Sequence, residues 1–331
     1  MITKLTKSKQ QHSFSQFSLR VTCGFLVTGL LLAAGCSERD VSESAVSPAN
    51  SQPAAARPGG DTTVDATGTT AFSLPAANLT ISQRADFQAG NSFFRQPWVV
   101  APASAKARDG LGPLFNVNAC QSCHIRDGRG HAPQSVDDGA ASFLVKLAIP
   151  PKTAEQQAAM DRGEMIFVEE PNYGGQFNDR AIPGVPREGR IALQYETETV
   201  ELGGGETAEL QRPMMTLTDL NYGELHADTQ FSGRLSPPVI GMGLLDALAE
   251  AEIVAGADPD DADGNGISGR ANRVWDSRAN KAGVLGRFGW KAATPTVEQQ
   301  AAGAFAGDIG ITSALNTGQP CTASQPECVK A

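Results

Sequence analysis

Cys120-Gln121-Ser122-Cys123-His124 decides how this 331-residue chain is read. Two cysteines and a histidine at this spacing can tether a haem and ligate its iron. The thiols add across the haem vinyl groups as thioethers, and the adjacent imidazole offers a ring nitrogen as proximal axial ligand. With 6 Cys and 4 His in the chain, the pattern arises by chance in roughly one shuffled sequence in a thousand, so it is a specific signal. A thioredoxin-like redox pair and half of a zinc site are the alternatives. Each wants partners that are missing: no second C-x-x-C follows within residues 1–331, and no H-x-x-x-H lies downstream. The cofactor expectation is therefore one haem c, with Cys120 and Cys123 as tethers and His124 on the iron.

The N-terminus agrees with a c-type haem, which is attached outside the bacterial inner membrane. Lys4, Lys7, Lys9 and Arg20 precede the apolar run Val21 to Ala34, the layout of an export signal over residues 1–35. That run is 14 residues, short of the roughly 20 that span a bilayer as a helix. It ends in Leu32-Ala33-Ala34-Gly35-Cys36, which resembles a bacterial lipobox. Cys36 would then be lipidated, and Ser37 after it resembles the outer-membrane-directed form, giving a lipid-anchored, periplasm-facing protein. The alternative is an ordinary secretory signal with an incidental cysteine. Residues 36–70 are rich in Ser, Ala, Pro, Thr, Asp and Gly without apolar periodicity, the composition of a disordered tether. A flexible segment of this length reaches roughly 30 Å. Cys321 and Cys328 are left over, and an oxidising periplasm permits a small disulfide loop between them. A formal charge of −9 argues against nucleic acid.

Residues 71–331 are expected to be a mainly α, cytochrome c-like haem domain with long ordered loops and a minor β-hairpin insertion, structure starting near Phe72. The 35 Gly and 20 Pro keep the helices short and the loops long. Thr153-Ala-Glu-Gln156 is a capping box that opens a helix toward Phe167, and Thr296-Val-Glu-Gln299 after Pro295 opens another. Leu244, Leu245 and Leu248 place an apolar face on a third helix. Ile191–Leu202 and Thr207–Leu210 flank Gly203-Gly204-Gly205 and predict the hairpin.

Several phrases recur around the haem motif: Phe87 to Gly90 with Phe93, Phe94 and Trp98; Gly110-Leu-Gly-Pro-Leu-Phe-Asn116; and Asp127-Gly-Arg-Gly130. Downstream come Tyr173-Gly-Gly-Gln176, Arg234-Leu-Ser-Pro-Pro238, Gly241-Met-Gly-Leu-Leu-Asp246, Asp263-Gly-Asn-Gly-Ile-Ser-Gly-Arg270 and Gly286-Arg-Phe-Gly-Trp290. In this order they resemble the bacterial di-haem oxidoreductase family, labelled as peroxidases or predicted thiol oxidoreductases and similar to di-haem cytochrome c peroxidases. The resemblance covers about Phe87 to Cys328. It implies haem-dependent redox chemistry on peroxide or on a small or thiol substrate, with a redox partner protein. Family members carry a second C-x-x-C-H in a C-terminal cytochrome domain, and residues 1–331 contain none. The reading thus stays open between a truncated product and a single-haem protein with an outside electron partner. The leading expectation is a haem-dependent oxidoreductase, with a mono-haem electron carrier without catalytic activity or an inactive remnant as the alternatives.

The sixth iron position separates these chemistries, since a strong ligand suits electron transfer and a weak or vacant one admits peroxide. His226 is the leading distal candidate, with a surface-loop histidine as its alternative. His131, only seven residues after His124, Met214 and Met215 as thioethers or core filler, and Gln176 as a hydrogen-bonding amide complete the distal set. Arg126 and Arg129 are candidates to pair with haem propionates, or are solvated surface residues. Asp261, Asp263 and Asn265 occupy the first, third and fifth positions of a calcium-loop pattern with Gly266 at the sixth. Its twelfth position is Asn272, not Glu, so calcium would lean on Asp258, Asp260 or backbone oxygens. An acidic turn is the alternative.

Overall fold

The computed structural model describes residues 57–133 and 142–331; the expected signal, Cys36 and the tether up to residue 56 lie outside the described residues. Residues 57–70 carry a 3-10 turn at Gly60–Thr62, and a second follows at Ala71–Ser73. The regular elements are α1 Ile81–Arg95, β1 Leu114–Phe115, α2 Cys120–Cys123, β2 Phe143–Ala148, α3 Ala154–Asp161, β3 Gln176–Phe177, β4 Arg180–Ala181, β5 Arg190–Glu201, β6 Thr207–Thr218, β7 Gln230–Leu235, α4 Met242–Ala247, α5 Glu250–Ala255, β8 Arg273–Asp276, β9 Lys281–Leu285, α6 Val297–Ile309 and α7 Pro326–Lys330. No helix of the described residues is long and apolar enough to cross a membrane.

The expectation of a mainly α domain is overturned, since helix accounts for 26% and strand for 23%. The physical reason lies in where each helix stops. At the predicted Thr153 box both reciprocal bonds form, yet α3 ends at Asp161 rather than near Phe167. Gly163 adopts φ +72°, and a Cβ there would sit 2.6 Å from the Arg273 carbonyl. The chain therefore turns back, the left-handed conformation being one that glycine adopts without a Cβ clash. Thr296 caps α6 by accepting from the Gln299 amide, but the Gln299 side chain bonds Trp275 and Ser277 instead of closing the box. A capping box not foreseen, Thr80 with Gln83, opens α1, the longest helix. The predicted third helix is only α4, and Leu244, Leu245 and Leu248 are 43–49% exposed, so their apolar face is not buried.

Among the described residues the strands form four antiparallel sheets, of which the order β3-β2-β7 is the widest. Side chains alternate across β2. Val145 and Leu147 point into a core with Tyr173, Phe177 and Tyr222, each fully buried side chain contributing about 1.5–3 kcal/mol. Tyr173 ties this core to the next loop by donating to the Gly223 carbonyl at 2.6 Å while accepting from the Tyr222 amide at 3.1 Å. The expected hairpin is present but not minor: β5 and β6 pair over twelve residues each, from Arg190↔Thr218 to Glu201↔Thr207. At its base Ile191, Met215 and Leu217 pack onto the core.

The end of α6 folds back onto the start of the domain. Gly310 takes φ +71°, and a Cβ on Gly112 would lie 2.1 Å from the Gly310 carbonyl oxygen, so both glycines are required for this backbone contact. Cys321 and Cys328 form a disulfide that closes the C-terminal loop.

Candidate functional site

Cys120 and Cys123 occupy a single helical turn, α2, closed by the His124 amide donating to the Cys120 carbonyl at 3.0 Å. Three-residue spacing on a helix puts both sulfurs on one face. The chain then reverses through Arg126 at φ +56° and Asp127 at φ +64°, with Ser73 Oγ donating to the Asp127 carboxylate. Helix α1 lies alongside: Phe94 contacts the His124 ring, centroids 5.9 Å apart, and Arg95 Nε donates to Gln121 at 3.0 Å.

The Ser236-Pro237 phrase after β7 fixes the motif from the other side. Ser236 Oγ donates to the Cys123 carbonyl. His124 Nδ1 lies 2.7 Å from the Pro237 carbonyl oxygen. A carbonyl only accepts, so Nδ1 carries the proton and Nε2 keeps its lone pair. An imidazole held this way is oriented to offer Nε2 to a metal.

Both thiols are held in their neutral form. Burial, reinforced by the Asp308 charge, pushes Cys120 up to about 11 and Cys123 up to about 12. A reactive redox thiol wants the opposite shift. Half-buried neutral thiols beside a metal-competent imidazole suit tethers for an apolar macrocycle.

A polar floor faces the same region. Lys146 on β2 and Gln176 on β3 are cross-strand neighbours. Gln176 is buried and donates to Asn116 Oδ1 at 2.6 Å, Gly307 O at 3.0 Å and Asp308 Oδ1 at 2.9 Å. Its Oε1 is buried without a hydrogen-bond partner. Burial lowers the Lys146 ammonium below its ordinary range, against the pull of Asp308. Asp308 thus touches Gln176 and acts on Lys146 and both thiols; sequence reasoning misses it, because one acid in the Ala- and Gly-rich α6 carries no signal of its own. Pro237 and Ser236 sit in a phrase the sequence reading does single out, but their roles need the fold.

The other candidates are placed as follows. Gln176 joins the Asp308 cluster, whereas His226 lies in the β6–β7 loop, its Nδ1 accepting from the Asp228 amide at 3.1 Å and its own amide donating to Glu170 at 2.8 Å. None of its described contacts reaches the Cys120–His124 segment. Met214 is exposed on the hairpin, and Met215 packs on the apolar core. His131 is exposed beyond the motif. Arg126 and Arg129 are exposed and line an open cleft of about 310 Å³ with Phe72 and Ile125. In the acidic turn Asp258, Asp261 and Asp263 bring carboxylate oxygens within 4.8 Å of one another, an arrangement able to hold a hard cation. Asn265 instead accepts from Ile267 N at 2.8 Å, and Asn272 donates to Lys291 and Ala292.

The residues fit a tethered haem: two neutral thiols on one face, an imidazole with Nε2 presented, and a buried amide oxygen with no partner. In comparison with known proteins, the family model described as "Di-haem oxidoreductase, putative peroxidase" matches residues 53–323. Neither the curated proteins nor the solved structures gave a match.

Proposed function

Since the chain belongs to the di-haem oxidoreductase family, we propose that it is a periplasm-facing, lipid-anchored redox enzyme with a c-type haem at Cys120, Cys123 and His124. The reaction is reduction of peroxide, or oxidation of a small or thiol substrate, with electrons exchanged through a redox partner. Bound there, the haem supplies one-electron iron chemistry at a potential tuned by its axial ligand. The chain's own residues do the rest. His124 would offer Nε2 to the iron because its Nδ1–H donates to the Pro237 carbonyl, and this hydrogen bond is the observation that carries the reading. Cys120 and Cys123, half-buried and neutral, would fix the macrocycle's edge. Gln176, locked by three acceptors, holds a carbonyl oxygen for a proton-bearing ligand, and Lys146 stands beside it, its acidity raised by burial.

The test is whether haem survives denaturation. Protein made with a periplasmic maturation system is expected to keep its haem stain through acid-acetone extraction, and Cys120→Ala with Cys123→Ala to lose it. Full extraction from the parent would overturn the attachment. A ferric protein that is low-spin and inert to peroxide with an electron donor present would overturn the enzymatic part and favour an electron carrier.

A further inference from the structure

Beside α2 the structure holds a buried cation without a counter-charge. Arg108 is 8% exposed, and no carboxylate of the described residues lies within ion-pairing distance of it. Its guanidinium donates to the Phe93 carbonyl at 3.1 Å and to Ser92 Oγ at 3.0 Å, two neutral oxygens of α1. It stacks over the Phe93 ring, 4.3 Å from the centroid, and lies 5.7 Å from that of Trp98. A buried charge is ordinarily paired, because the water it gives up has to be replaced by a counter-charge.

Trp98 shows the complementary deficit. Its indole Nε1 is buried with no hydrogen-bond partner, although a buried Trp N–H ordinarily finds one. The ring is fixed edge-on to Phe305 of α6, centroids 5.9 Å apart. Its backbone amide donates to Asn118 O at 2.7 Å, two residues before Cys120, and the next amide, Val99, donates to the Arg108 carbonyl at 2.9 Å. One backbone segment thus holds the unpaired charge and the partnerless indole N–H against the haem motif. The Arg108 charge is felt at the Cys120 thiol.

We propose that Arg108 and Trp98 form an anion-binding pair at the edge of the haem site and receive a haem propionate, the guanidinium by charge and the indole by its N–H. The inference rests on the haem reading above. It moves the propionate partner from Arg126 and Arg129, which are solvated and need no buried anion, to a residue whose burial does.

The experiment uses haem-loaded protein and the variants Arg108→Gln, Arg108→Lys, Trp98→Phe and the double Arg126→Gln/Arg129→Gln. Loss of haem stain in the parent would sink the haem reading itself and is scored separately. With haem retained, Arg108→Gln is expected to lower the midpoint potential, since removing a nearby cation favours ferric iron. The pH at which that potential begins to change should rise by about 1–3 units, the usual effect of an arginine on a neighbouring carboxylate. Arg108→Lys should restore most of the potential, and Trp98→Phe should move the propionate bands in resonance Raman while keeping the ring packing. If Arg108→Gln does not fold, Trp98→Phe decides alone. Parent-like potential, pH profile and propionate bands in the folded variants would overturn the proposal. So would changes confined to the Arg126/Arg129 double variant.

Discussion

Glu188 should make the protein lose stability as pH rises from acid to neutral. Its side chain is fully buried between the Asn178 amide and Gln325 Nε2, the latter at 2.6 Å. Burial pushes its carboxyl from the ordinary 4.5 up to about 8, and these two donors only partly offset that. Between those values the folded chain keeps a proton that the unfolded chain has released. The contribution is therefore complete below pH 4.5 and is lost as pH climbs through 8. At about 1.4 kcal/mol per pH unit, the interval is worth about 5 kcal/mol. Glu188→Gln removes the titration while keeping size. Urea denaturation followed by far-UV circular dichroism at pH 5 and pH 9 should show the variant gaining about 4–5 kcal/mol on the parent between the two conditions. A parent-to-variant difference constant to within about 1 kcal/mol would refute the reasoning, whatever its absolute size.

His226→Ala should leave the haem stain and the ferric spectrum unchanged, because this histidine is engaged with Asp228 and Glu170; an altered spectrum or peroxide rate would bring it back as a distal residue. Cys36→Ser should abolish palmitate labelling and release the protein from membranes, as the 14-residue apolar run before it is too short to stay as a spanning helix. Labelling that persists in that variant would exclude the site.

What the sequence makes legible is local. The C-x-x-C-H turn, the Thr153 box, the Thr296 cap and the hairpin around Gly203-Gly204-Gly205 each depend on residues within a few positions of one another. The strands of the β3-β2-β7 sheet do not. Phe143–Ala148 meets Gln230–Leu235 across some ninety residues of chain, and no short-range period announces that pairing. The site divides the same way. The two cysteines and the histidine of the motif are adjacent, whereas Pro237, Asp308 and Gln176 arrive from three separate elements. Histidine attracts attention as a distal candidate for its chemistry, but Gln176 is the one that β3 carries to the Asp308 cluster. Arg108 escapes notice because an arginine beside Asp109 and Gly110 reads as a loop charge, and only packing reveals its burial.

The bond from His124 to Pro237 spans 113 residues, which sets an order of events during biosynthesis. On the proposed reading haem is attached after export, to a chain that still has to fold. Until Pro237 docks on the imidazole and α6 brings up Asp308, whose charge helps keep both sulfurs protonated, the two cysteines lie in a hydrated segment open to a ligation enzyme. Once the chain closes, the same sulfurs are partly covered and their acidity is suppressed. Maturation therefore has a window that shuts with folding, and a variant that folds more slowly should leave the cell better loaded with cofactor, not worse.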